Sequence, residues 1–233
     1  MKTDVMTVNR TLMKWNITRS LATGQTEIDT SYAFTWSDVC QHPYRAYFRL
    51  SADSLLVFTQ PDLVQGGSSA TLPKCLIRTP HDNATVREYS LFLQPIQRGT
   101  NESFLPDFYF LFQAALKPDA RQAVLAMNYF PQIHLLDLAT GSVKIFRLKG
   151  KPAFSADIAR TYYLSVQCDD RHIYALYSDG QGPGKTIHVF DWDGCPVRQI
   201  DLGREATSIA LDPVSGTLYA MLYDREQIYR YDL

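Results

Sequence analysis

Gly184, Lys185 and Thr186 sit in the stretch SDGQGPGKTIHVF (178–190), and they are the residue types that hold a nucleotide's phosphates in G-x-x-x-x-G-K-[ST] loops. Such a loop also needs a glycine five residues before Gly184, where this chain has Asp179. It needs a helix starting at the Lys-Thr pair as well, so that free amide N–H groups converge on the phosphates. The run that begins there is instead Thr186-Ile187-His188-Val189-Phe190, β-branched and aromatic. The spacing therefore predicts a strand and no nucleotide.

Other chemistry-bearing residues reduce in the same way. His134 and His188 could ligate a metal or carry a proton, but they hold one place in a recurring pentapeptide, Ile133–Asp137 and Ile187–Asp191. The third copy, Ile228–Asp232, has Tyr229 there, so the position is expected to pack a ring on a sheet face. His42, His81 and His172 lie near turns without H-x-x-x-H spacing and are expected to be solvated. Asp137, Asp191 and Asp232 close each copy, and repetition points to turns, where Asp accepts amide N–H bonds from two residues on. Acid–base catalysis would need its carboxylates once. No G-x-S-x-G elbow supplies a serine nucleophile. Cys40, Cys75, Cys168 and Cys195 form no C-x-x-C pair, so they read as reduced and packed, with Cys195 exposed in a turn. Asn9, Asn16, Asn83 and Asn101 open N-x-[ST] triplets, but no export signal accompanies them. The sequence thus assigns no catalytic residue, no metal and no cofactor.

The elements that carry these residues repeat. Segments from Phe112, Tyr163 and Thr207 each open on a short apolar strand, turn on Lys117-Pro118-Asp119, Cys168-Asp169-Asp170 or Asp212-Pro213, and return through Ala126, Ala175 or Ala220. The pentapeptide strand comes next. In the first two segments a Gly-containing turn then leads to a fourth strand, Val143 to Leu148 or Val197 to Leu202. A four-stranded antiparallel meander repeating at about 41 to 54 residues has the size of a propeller blade. A weaker copy begins at Tyr44, and DVMTVN, TLMKWNIT and TEIDTSYAF upstream could add three strands, for eighteen in all. The expected fold is all-β, a β-propeller of four-stranded antiparallel blades. It spans 1–233 as one domain, with units at about 1–35, 44–95, 110–150, 161–203 and 206–233. The last unit stops after its third strand, and a closed ring would take the missing outer strand from the other terminus.

The composition fits a globular protein: 45% hydrophobic and 20% charged residues with a net charge of −1 leave no bulk attraction to nucleic acid. The run Phe108–Phe112 is too short to span a bilayer. The stretch MKTDVMTVNRTLMKW has no apolar signal region, so the chain as written reads as cytoplasmic.

IHVFDWDGCPVRQIDL followed by IALDPVSGTLYAMLYDREQIYRYDL, together with GQGPG, resembles the TolB-like six-bladed β-propeller proteins of Bacteroides and relatives. The similarity is good over about 162–233 and fair from 110. It implies a six-bladed ring in the periplasm or cell envelope, often lipid-anchored, with no catalytic motif to carry over. About five units instead of six, and no lipobox cysteine, leave two expectations open: a missing N-terminal segment of a six-bladed ring, or a complete, smaller five-bladed ring with two three-stranded blades.

Function on such a scaffold is expected in long polar loops. These are Pro61–Pro73, Gln94–Asp107 and Lys149–Arg160, with the Gly-rich segment read as a four- or five-residue insertion in a hairpin on the same face. The candidate binding residues are Gln181, Lys185, Arg98, Asn101, Lys151 and Arg160. The leading reading is a noncatalytic module for a protein, peptide or glycan. An enzyme of the lyase or hydrolase class with a site at the channel mouth, and an inactive fragment of a larger propeller, stay open at this level.

Overall fold

The computed structural model describes residues 10–34, 44–59, 74–79, 82, 84–91, 111–150, 160–180, 182–225 and 227–233. The chain divides into two compact units, Met1–Tyr89 and Ser90–Leu233.

In the first unit β1 (Arg10–Trp15) and β2 (Ile28–Phe34) form an antiparallel pair. Between them lies a helix, α1 (Ile17–Thr23), where the alternation of TLMKWNIT predicts a strand running through Asn16. Asn16 ends the strand because its backbone is extended while its side-chain oxygen accepts the Arg19 N–H at 2.9 Å. Its amide nitrogen donates to Asp29 at 3.0 Å. Gly24, left-handed at φ +67°, closes the other end by donating its N–H to the Ser20 carbonyl. The expected strand DVMTVN lies outside the described residues.

The second sheet of this unit is the predicted meander: β3 (Tyr44–Arg49), β4 (Leu55–Thr59), β5 (Lys74–Arg78) and β6 (Thr85–Ser90), in chain order. All five β4 residues are buried; Leu55–Phe58 are apolar, as a central strand covered on both faces requires, and Thr59 accepts the Lys74 N–H at 2.8 Å.

Among the described residues the second unit holds three sheets. The first is β7 (Phe112–Leu116), β8 (Gln122–Met127), β9 (Gln132–Asp137) and β10 (Val143–Arg147). The second is β11 (Thr161–Cys168), β12 (His172–Gly180), β13 (Gly184–Asp191) and β14 (Pro196–Ala206). The third is β15 (Ser208–Asp212), β16 (Thr217–Leu222) and β17 (Gln227–Asp232). Every neighbouring pair is antiparallel. The described residues thus form seventeen strands and one α-helix.

Alternation along each strand explains how the sheets stack. In β12, Ile173 and Ala175 enter one core with Val124, Ala126, Ile133 and Leu135 of the first sheet. Their neighbours Tyr174 and Leu176 enter the other core, with Ile209, Leu218 and Ala220 of the third. The middle sheet is therefore covered on both faces, and the opening strands β7 and β15 both lie against β11. The architecture is mostly β and blade-like.

The register corrects one anchor of the repeat. Asp137, Asp191 and Asp232 pair with Gln122, His172 and Thr217. Counting from these, the partner of His134 is Leu125, whereas those of His188 and Tyr229 are Ala175 and Ala220. The equivalent of the two alanines is Leu125, and Ala126 sits one place on, facing the opposite way.

Candidate functional site

The two ends of these sheets are built differently. At one end, tight turns are tied by aspartates. Asp119 accepts the Arg121 N–H at 2.9 Å, and Asp137 those of Ala139 and Thr140 at 2.9 and 2.8 Å. Asp169 accepts those of Arg171 and His172, Asp191 those of Asp193 and Cys195, and Asp212 that of Val214. Bonds from the Thr140 amide and hydroxyl hold the Asp137 carboxyl below the usual carboxylate range, and the Ser215 hydroxyl does the same for Asp212. Asp232 departs from the expected turn role: it pairs with Arg230 on its own strand at 3.1 Å.

The other end carries the long connections. β7 and β11 both start there, so residues 111 and 160, the first described after 92–110 and 151–159, lie at this end. The β12–β13 hairpin reverses at this end as well. In the first unit, residues 60–73 connect β4 to β5, the corresponding second and third strands.

The hairpin differs from its expected form. With the corrected anchor, Leu125 to Ile133 and Ala220 to Ile228 are eight residues each and Ala175 to Ile187 is twelve, a four-residue insertion. The insertion extends the strands instead of forming a large loop. β12 runs nine residues to Gly180 and β13 starts at Gly184, leaving only 181–183 between them. Past the Tyr177–Thr186 pair the strands separate: Gly180 pairs outward with Thr161 of β11, and Gly184 with Ala206 of β14. Ser178 steadies the tip by donating its hydroxyl to the Gly182 carbonyl at 2.9 Å.

Gly184 has no room for a side chain, since a Cβ there would lie 2.5 Å from the Tyr177 carbonyl oxygen and 3.0 Å from Leu176. Gly184→Val is expected to cost about 2 kcal/mol as an overpacked site. A urea midpoint that drops with an unchanged slope would show it. Deleting Gln181–Gly184 also removes a buried strand residue, so that deletion is expected to disturb the ladder.

Of the six candidate binding residues, Gln181, Arg98, Asn101 and Lys151 lie outside the described residues. Arg160 and Lys185 are brought to the same hairpin. Arg160 is exposed, with its Nε about 4.0 Å from where a Gly180 side chain would begin. Lys185 pairs with Glu205 at 3.4 Å across the β13–β14 ladder. Asp179, accepting the Tyr177 hydroxyl at 2.9 Å, adds a second carboxylate. Sequence reasoning missed Glu205, twenty residues from Lys185, because only the ladder places them together. The result is an exposed mixed-charge tip suited to polar contact.

His134 and His188 face inward, and His42 and His81 lie outside the described residues. His134 is 1% exposed, with Nε2 3.0 Å from the Gln132 side-chain oxygen. His188 stacks on Tyr177 with ring centroids 4.3 Å apart, and its Nδ1 lies 3.4 Å from the Tyr163 hydroxyl. Burial lowers both imidazole pKa values to about 4, helped at His134 by Arg147. His172 is half-buried beside Asp169. Burial pushes the Cys75 thiol far up and that of Cys168 to about 12, while Cys195 is exposed. Cys40 lies outside the described residues. A groove of about 210 Å³ beside His188, Leu148 and Phe190 is smaller than ordinary ligand pockets. Among the described residues no cluster of His, Cys, Asp or Glu could hold a metal, and no helix is long and apolar enough to cross a membrane.

No family model matches the chain, and neither does any curated protein. Solved structures do. The β-propeller domain of Cps50 (Swd1) from Myceliophteria thermophila is similar over 95% of this chain and 63% of that one, with a TM-score of 0.52 and 12% identity. A chain of a Mitotic Checkpoint Complex is similar over 96% of this chain and 56% of its own, with a TM-score of 0.51 and 12% identity. The chain spans less than two thirds of the length of either. At this identity the likeness is one of fold, distant and shared with unrelated proteins, and it does not single out a TolB-like group.

Proposed function

We propose that the chain is a noncatalytic interaction module that binds a protein, peptide or glycan at the end of its sheets opposite the aspartate turns. The observation that carries this reading is the asymmetry of the two ends. One is sealed by Asp119, Asp137, Asp169, Asp191 and Asp212, whose carboxylates are committed to backbone amides. The other carries the starts of β7 and β11 and the Arg160–Lys185–Glu205–Asp179 tip. Catalysis is disfavoured because His134 is buried and His188 is stacked on Tyr177 beside a groove smaller than ordinary ligand pockets. The matched solved structures, a propeller domain and a member of a checkpoint assembly, agree with an interaction role.

In this reading residues 1–233 form one propeller-type domain of the six-bladed kind, and the TolB-like resemblance of the sequence is the support for a periplasmic or cell-envelope location. The test is binding of the purified chain to printed glycan and peptide arrays. The double variant Arg160→Glu, Lys185→Glu is expected to lose at least tenfold in affinity for any array ligand, whereas Asp193→Lys at the turn end changes nothing. Equal loss in both variants would sink the proposal.

A further inference from the structure

The groove of about 210 Å³ beside His188 lies where β13 and β14 meet Leu148, the residue that follows β10. It has room for one ring and not for a drug-sized ligand. Its walls are apolar at Leu148, Phe190, Pro196 and Val197. Arg198 also lines it, but its guanidinium acts on the Tyr174 hydroxyl, whose ring belongs to the other core. His188 and Gln199 remain as the neutral polar groups of the groove.

His188 is 8% exposed, with one ring face on Tyr177 and Nδ1 3.4 Å from the Tyr163 hydroxyl. That hydroxyl is buried and has no other partner among the described residues, so its O–H is spent on Nδ1. The ring proton of the neutral imidazole then sits on Nε2. Nε2 donates to nothing among the described residues and is not sealed from solvent. It is a fixed donor at the groove.

Leu148 adds an acceptor. Its N–H donates to the Pro131 carbonyl at 2.9 Å, and an antiparallel pair would return a second bond, but Pro131 has no N–H to give. The Leu148 carbonyl is left without a partner among the described residues. The interface between the second and third sheets shows what can fill this place. Phe146 and Ile200 face the equivalent Ile133 and Ile187, so Leu202 is the equivalent of Leu148. The Leu202 carbonyl does have a donor, the Tyr231 hydroxyl at 2.9 Å. In the place of Tyr231, one before the closing aspartate, the second sheet has Phe190, which carries no hydroxyl. Two residues beyond Leu202, Arg204 lays its guanidinium 4.5 Å over Tyr229, the equivalent of His188. In the place of Arg204 stands Gly150. A hydroxyl and a long side chain that fill one interface are thus both missing from its sister.

We infer that this groove takes the phenol of a tyrosine side chain from a partner, its hydroxyl donating to the Leu148 carbonyl and accepting from the His188 Nε2–H. The ring lies against the apolar walls, and the hydroxyl stands in for the one that Tyr231 supplies at the sister interface. Phenylalanine would fill the same walls but leave both polar groups unpaired. A charged side chain would lose its hydration against them. None of Arg160, Asp179, Lys185 and Glu205 lines the groove, so this contact is separate from whatever the charged tip binds.

The experiment titrates the full chain, labelled with carbon-13 in its histidine rings, with the capped pentapeptides GGYGG and GGFGG and with GGYGG carrying O-methyltyrosine. The His188 signal is the one that His188→Phe lacks. GGYGG is expected to shift it saturably and to bind about tenfold more tightly than GGFGG. The O-methyl peptide, which cannot donate to Leu148, should bind no better than GGFGG. Phe190→Tyr supplies from within the hydroxyl that this interface lacks, so it should erase the preference for GGYGG. The tip variant Arg160→Glu, Lys185→Glu should leave the GGYGG titration as it is in the parent, which separates a failure here from a failure of the tip reading. The inference is overturned by the absence of a saturable His188 shift at millimolar peptide or by equal affinity of the parent for GGYGG and GGFGG. A preference for GGYGG that survives in Phe190→Tyr would overturn it as well.

Discussion

Trp192→Ala is expected to destabilise Ser90–Leu233 by about 4 kcal/mol, the usual scale for deleting a buried tryptophan. The indole belongs to the β13–β14 turn, yet it is 8% exposed and packs in the core between the first and second sheets. Its Nε1 donates to the Asp169 carbonyl at 3.0 Å, tying the turn it leaves to the turn before β12. The Lys117 ammonium from the first sheet stands 5.2 Å over the ring. Three connections therefore fail together: the apolar contact, the hydrogen bond between turns and the cation–π contact between sheets. The loss corresponds to roughly 8–16 °C in thermal midpoint for a chain of this size. Trp192→Phe keeps the apolar contact and should recover more than half of it. A drop below about 1 kcal/mol for the alanine variant would mean that the indole is not holding the two sheets together.

The second large effect is loss of stability in mild acid. His134 and His188 have folded-state pKa values of about 4 against 6.5 for an unperturbed imidazole. Between those values the unfolded chain binds more protons than the folded one, so stability falls as pH drops from 6.5 toward 4 and is constant above 6.5. At about 1.36 kcal/mol per unit of pKa difference, His134 alone removes roughly 2 kcal/mol between pH 7.5 and pH 5. His188 acts in the same direction but less, because it lines a groove and keeps some access to water. Urea midpoints at the two pH values measure the loss. The variant His134→Leu, His188→Phe should show a nearly flat profile over that interval. A double variant with the parent's slope would assign the acid sensitivity to other groups.

The sequence showed most of what depends on short range. Gly184-Lys185-Thr186 lies in a strand, as the β-branched run after it required, and the Asp137 and Asp191 turns are closed as their spacing suggested. The helix at Ile17–Thr23 was also readable, from Asn16 and Gly24 as caps, but the alternation of TLMKWNIT outweighed them. Ala126 was misaligned because it follows Leu125 in an unbroken apolar strand, where composition alone does not fix which residue faces which side. Long-range pairing was out of reach. Lys185 and Glu205 meet only through a β13–β14 ladder whose register shifts between Gly184 and Thr186, and nothing local announces that shift. The Gly-rich insertion was recognised, but its conversion into longer strands depended on outward partners in β11 and β14.

Hydrogen exchange on the full chain, with and without a ligand found on the glycan or peptide arrays, tests the interaction-module reading most directly. Binding is expected to slow amides at 128–131, 160–162 and 178–185, at the end that carries the long connections. The aspartate turns at 138–142, 169–171 and 192–195 should exchange as before. Protection confined to those turns, with Arg160 and Lys185 unaffected, would contradict the account.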